Sequence, residues 1–174
     1  MSAVIKTEKH NIAVELLLPY LIYKYVVGEE PSNANISYRI LWQKIGYFAK
    51  KLGLPLNNYD FSWYKRGPYS SNYTSVLYKV CNDSDDLNQQ SFNFELNDLT
   101  KEKLIPLLNA FRAKPPKVSE SHWMELLASI DYLYEVNNGD KTKTLISLTR
   151  LKPIYSDEYL KEMAWNVLTN QKMI

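Results

Sequence analysis

Two adjacent cations, Lys65 and Arg66, stand just before a Gly67-Pro68 turn and a serine pair, Ser70-Ser71, that can cap a following helix. Free backbone N–H groups at such a helix start, with two cations beside them, suit a phosphate or a carboxylate. The bland alternative is a solvated turn. Aromatics crowd the same stretch, since Phe61, Trp63, Tyr64 and Tyr69 all fall within residues 61–70. Rings on both sides of a Gly-Pro break either fix a structural corner or present a contact surface, because interfaces favour Tyr, Trp and Arg. Phe61 and Trp63 are assigned to packing, which leaves Tyr64 and Tyr69 as surface residues flanking the charges. Lys44, Lys50 and Lys51 join the same basic surface if the helix that carries them packs on the turn. The helix after the turn adds Asn72, Tyr73 and Lys79 as residues able to touch a partner or read bases.

Other residue groupings carry less chemistry. Cys81 ends an apolar helical run with no base placed to activate it, so a buried small hydrophobe is expected there. With His10 and His122 as the only histidines, no Cys/His spacing for zinc exists. His122 beside Glu120 and Glu125 reads as the start of a helix rather than as an acid/base pair. Asp83, Asp85 and Asp86 lack the glycine and distal glutamate of a calcium loop. The expectation is a non-enzymatic protein with neither cofactor nor metal.

Composition bounds the class. The 174 residues are 45% apolar and 23% charged, which suits one globular domain over residues 1–174 and argues against disorder. The apolar stretch from Ile12 to Val27 is interrupted by Glu15, Pro19 and Lys24 and is too short for a bilayer, so no membrane association is expected. The mixed signs of Lys6, Glu8 and Lys9 do not suit a secretory leader, and a single cysteine suits a reducing, cytoplasmic setting. Residues 1–81 carry ten Lys/Arg against five Asp/Glu, and residues 82–174 eleven against fourteen. That mild basic bias admits a nucleic-acid contact but is well below the density of a dedicated DNA-binding domain. Fourteen tyrosines exceed what a core of this size needs, so some hydroxyls are left for solvent or a partner.

The periodicity predicts a mainly α, compact helical domain. Helices are expected over 7–52, broken at Gly28 and either kinked or restarted at Pro19. Leu41, Ile45, Phe48 and Leu52 form the core face of the second helix, with Gln43, Lys44, Lys50 and Lys51 on its surface. An aromatic turn and wing are expected over 56–96. There the alternation of Phe92, Phe94 and Leu96 predicts a strand at 91–96 that pairs with 59–64 as one small two-stranded ribbon, the wing of a winged-helix arrangement. Residues 82–90 read as an acidic loop. A C-terminal helical part, 98–172, follows, in which Trp123, Leu126, Leu127, Ile130 and Leu133 make the strongest apolar stripe. Ser119 or Ser121, Asp140 and Ser156 are the expected caps of its helices.

The segments Leu41-Trp42-Gln43-Lys44-Ile45-Gly46-Tyr47-Phe48, Leu52-Gly53-Leu54-Pro55-Leu56 and Tyr59 to Ser70 resemble the YwgA-like proteins of bacteria and archaea. Trp123 to Ile130, Lys152-Pro153 and Ala164-Trp165 fit the same pattern, so the likeness runs through most of the chain from Leu41 onward. A looser similarity reaches the Panacea domain of antitoxins. That similarity implies a helical regulatory protein acting by contact, such as a toxin-neutralising antitoxin or a proteolytic adaptor, and brings no catalytic residues. Two readings follow: a regulatory or protein–protein interaction module, antitoxin-like or defence-associated, and a winged-helix DNA-binding regulator with the helix from Ser71 in a groove. The first is favoured, because that helix carries no arginine.

Overall fold

The computed structural model describes Val4–Lys6 and residues 14–174. The expected helix start at Thr7 lies outside the described residues. The elements are β1 (Val4–Lys6), α1 (Val14–Val27), α2 (Ile36–Lys51), β2 (Ser62–Tyr64), β3 (Gly67–Tyr69), α3 (Ser71–Asn82), α4 (Ser84–Ser91) and β4 (Phe94–Leu96). They continue with α5 (Asp98–Arg112), α6 (Glu120–Val136), α7 (Lys141–Leu151), a 3-10 turn at Pro153–Tyr155 and α8 (Glu158–Asn170). The protein is mainly helical and compact, as the periodicity predicts, and none of its described helices is long and apolar enough to cross a membrane.

Local capping explains most boundaries. The Asn35 side chain accepts from the Ser37 and Tyr38 amides at 2.9 and 3.2 Å, opening α2. Ser70 caps α3, Ser119 caps α6 and Asp140 caps α7. At α8 the cap is Asp157, one residue beyond Ser156, and it accepts from the Leu160 amide at 3.0 Å. Pro19 stands inside α1 and does not begin a second helix.

Helix α6 occupies the centre and packs against α2, α5, α7, α8 and β3. Every residue from Trp123 to Asp131 is buried, so it is surrounded on all sides, well beyond the single stripe its apolar residues trace. A second centre is aromatic. Tyr73 stacks on Trp42 at 5.0 Å, with Tyr59 and Phe61 against its ring, and the Trp42 indole donates to the Tyr73 carbonyl at 3.0 Å. Gly46 makes room for this ring, because a Cβ at that position would run into the Tyr73 side chain.

The strand pairing differs from the expectation. β2 turns back on β3 as a hairpin, with Ser62 opposite Tyr69 and Tyr64 opposite Gly67, while β4 pairs antiparallel with β1. Gly67 adopts φ +79, which lets the two-residue Lys65-Arg66 connection close locally, and short closure costs less entropy than a partner some thirty positions away. The strand at the far end is also shorter than predicted. Residues 84–90, expected as a loop, and Ser91, expected as strand, are helical and held by the single buried Leu87, and Phe92 is 85% exposed. The alternation holds only for Phe94, Glu95 and Leu96.

Because Leu127 is fully buried in α6, Leu127→Ala should destabilise the protein by about 2–5 kcal/mol. The measurement is a urea midpoint at unchanged m-value. Gly46→Ala should also destabilise it, since the clash with Tyr73 outweighs a helix-propensity gain of about 1 kcal/mol.

Candidate functional site: a groove beside the aromatic hairpin

The β2–β3 hairpin is held from below by polar side chains of distant elements. From α2, Lys44 Nζ donates to the Pro68 carbonyl at 2.7 Å. Beside it, Gln43 makes a reciprocal pair with Ser70, donating to its carbonyl and accepting from its amide, both at 2.9 Å. After α7, Lys152 Nζ donates to the Lys65 carbonyl at 3.0 Å and pairs with the buried Glu125 carboxylate of α6. Gly67 lies on α6 itself, where a Cβ would stand 2.7 Å from Ser129 Oγ. Three separate stretches of chain, α2, α6 and the residue after α7, thus fix one turn.

Burial sets the electrostatics. Lys44 is 1% exposed and has no carboxylate within hydrogen-bonding distance, so desolvation pushes its ammonium down to about 7, with Glu125 opposing and Lys152 reinforcing the shift. Burial, then the Glu125 charge, pushes the Tyr155 hydroxyl up. A second polar node ties α2 to α6, where Asp131 accepts from the Tyr47 hydroxyl at 2.5 Å and from Lys51 at 2.6 Å. Burial raises the Asp131 carboxyl, and Lys51 works against that rise.

Above the tethered turn lies a groove of about 380 Å³ between α2, the hairpin and α3. Its walls are Ile36 and Ile40 on one side and Tyr64, Tyr69 and Tyr78 on the other, with Gln43, Lys44 and Thr74 also lining it and Arg39, Lys65 and Arg66 as its other cations. Tyr64 and Tyr69 lie 5.4 Å apart with rings tilted at 37°. No carboxylate lines it. Floor polar groups are internally satisfied, as Gln43 bonds Thr74 at 2.7 Å and Thr74 meets the Tyr69 hydroxyl at 3.0 Å.

Of the residues singled out in the sequence, Lys44, Tyr64, Lys65, Arg66 and Tyr69 converge here. Lys44 and Gln43 are buried rather than on the surface, because each satisfies backbone groups of the hairpin. Tyr73 is 0% exposed within the aromatic centre and offers no contact to a partner. Lys50 and Lys51 are spent elsewhere: Lys50 donates to the Tyr59 carbonyl at 2.6 Å, and Lys51 bridges Asp131 and Glu135. Asn72 and Lys79 are exposed on α3 but outside the groove. Phe61 and Trp63 are half-buried, packing on Tyr47 and Tyr132, as expected. Sequence reading missed Ile36, Arg39, Ile40, Thr74 and Tyr78. The signal was present, since Ile36, Arg39, Ile40 and Gln43 recur at helical spacing on a second face of α2, and Thr74 and Tyr78 do so on α3.

The remaining candidates stay apart from this site. Half-buried Cys81 has its thiol pushed up by burial, with Sγ 3.8 Å from the Pro31 carbonyl. His122 packs edge-on to Tyr155, and Glu125 is engaged by Lys152. Among the described residues no group of three His, Cys, Asp or Glu is arranged to hold a metal ion.

Two outcomes check the tethers. Lys152→Met leaves Glu125 buried without its partner and should cost about 3–5 kcal/mol, whereas the double variant Glu125→Gln/Lys152→Met should lose less than the sum of the singles. For Lys44 the folded-state pKa lies below the ordinary 10.5, so the unfolded chain binds the extra proton between about pH 7 and 10. Wild-type stability should therefore rise relative to Lys44→Met as the pH goes from 7 to 9, by at most about 1.4 kcal/mol per pH unit, read from urea midpoints.

No protein-family model, no curated protein and no solved structure matches this chain.

Proposed function

We propose that this protein is a non-enzymatic regulatory module that acts by binding a partner protein in the groove between α2, the β2–β3 hairpin and α3. The observation that carries the reading is the combination in one concavity of exposed tyrosine and isoleucine walls with three cations that have no ion-pair partner among the described residues. Tyrosine and arginine are the residues that dominate binding energy at interfaces, and a rigid site loses less entropy on binding. The looser similarity to the Panacea domain implies a protein of the same kind, an antitoxin-like or defence-associated regulator that acts by contact. A cytoplasmic setting goes with this proposal.

The DNA-binding alternative draws on exposed Lys65, Arg66 and Asn72 around the start of α3 and Lys79 in its last turn. It is weaker, since Tyr73, Val76, Leu77 and Val80 turn one face of α3 into the core and the exposed remainder carries one lysine.

Affinity capture from the native host, with and without nuclease, separates the two. A partner protein should remain after digestion and be lost with Lys65→Ala/Arg66→Ala, while that variant keeps the wild-type circular dichroism melt. Co-purifying proteins that vanish with nuclease, together with a DNA affinity whose salt slope falls by up to about two in the double variant, would transfer the assignment to the regulator.

A further inference from the structure

The three groove cations differ from the lysines that hold the fold together. Lys24, Lys50, Lys51, Lys152 and Lys161 each stand within ion-pair distance of a carboxylate of this chain. Arg39, Lys65 and Arg66 do not, among the described residues. Arg39 reaches only the Tyr78 hydroxyl at 3.4 Å, and Lys65 lies over the Tyr64 ring at 6.0 Å. Buried Lys44 lies beneath them, held by a carbonyl and by no carboxylate among the described residues, and its burial favours the neutral amine, so the groove's charge comes from these three. Positive charge therefore surrounds an uncharged, largely apolar trough.

Resting on the module reading above, we propose that the groove takes a short acidic segment of a partner protein, one that presents an aliphatic or aromatic side chain between flanking carboxylates. The apolar anchor enters between Ile36 and Ile40 on α2 and the Tyr64 and Tyr78 rings, where Ile36, Tyr64 and Tyr78 are 51%, 54% and 42% exposed. Carboxylates on its two sides meet Arg39 from α2 and Arg66 from the hairpin turn in the bidentate manner that suits guanidinium groups, with the Lys65 ammonium beside them as a point charge. The Gln43 and Thr74 side chains of the floor contribute shape, since they are bonded to hairpin and α3 groups. Nucleic acid fits less well. The aliphatic wall offers nothing to a phosphate, and a formal net charge of +2 gives little long-range attraction.

The test is selection of a random linear peptide library, displayed on phage, against the wild-type protein. The enriched peptide is then labelled with fluorescein and measured by anisotropy against Arg39→Glu/Lys65→Glu/Arg66→Glu and against the turn-only Lys65→Glu/Arg66→Glu. The expected result is a consensus with Asp or Glu flanking an apolar residue, and binding about tenfold weaker or worse for both variants and for the peptide's Asn/Gln analogue. The turn-only variant guards against a folding defect caused by half-buried Arg39, and each variant's thermal melt is compared with wild type. A consensus without acids, no enrichment at all, or equal binding by the charge-reversed proteins would overturn the proposal, as would an oligothymidine probe that binds as tightly as the peptide. A neutral consensus that still displaces the captured host partner overturns the acidic segment alone. Failure to capture any nuclease-resistant partner overturns the module reading instead.

Discussion

The buried contact among Glu125, Lys152 and the Lys65 carbonyl is the constraint on which the groove depends. Taking a carboxylate and an ammonium out of water costs several kcal/mol per ion, and their attraction recovers this only when the remaining donors and acceptors are also used. Lys152 meets that condition by donating to the hairpin turn as well as to Glu125. An apolar replacement of the pair could match its contribution to stability, yet it would leave the Lys65 carbonyl without this donor. The pair therefore specifies where the turn sits more than how stable the protein is. Lys44, reaching the Pro68 carbonyl three residues further on, does the same from α2.

Both polar nodes belong to α6, and this explains why a helix with such an apolar stripe also carries Glu125 and Asp131. The two carboxylates each receive a lysine from another part of the chain, Lys152 after α7 and Lys51 from the end of α2. A helix buried all round has no solvent face on which to place charge, so any carboxylate in it must be matched by a cation from its neighbours. Here the matching cations orient the neighbours. Lys51 fixes the C-terminal end of α2, and α2 in turn presents Ile36, Arg39 and Ile40 along the groove.

The sequence was legible wherever the deciding interaction is local. The caps at Ser119 and Asp140, the break at Gly28 and the core face of Leu41, Ile45 and Phe48 all depend on residues within a turn or two of one another. It was illegible where the partner is distant. Nothing in the type of residue 44 shows that its ammonium ends on a carbonyl twenty-four positions later, and burial of Tyr73 depends on the missing side chain at Gly46. Helix α4 hid for a different reason, as its polar run Ser84-Asp85-Asp86 has one apolar anchor, Leu87, and so no amphipathic period to detect. At the groove, the aromatic hairpin stood out by composition, whereas its opposite wall on α2 required the helix to be turned to its second face.

The same division separates structural lysines from functional ones. A lysine near the fold's own carboxylates or carbonyls gives up its rotamer freedom to hold an element in place, as Lys44, Lys50, Lys51, Lys152 and Lys161 do. Arg39, Lys65 and Arg66 make no ion pair among the described residues, although the turn that carries Lys65 and Arg66 is held by Gln43, Lys44 and Lys152. Fixing the backbone in advance leaves only side-chain order to be supplied when a partner binds, at about 0.5–1.5 kcal/mol for each long side chain immobilised. Under the proposed binding mode such a site gains its contacts without reorganising the fold, and selectivity rests on whether the incoming segment brings the carboxylates that are not among the described residues lining this groove.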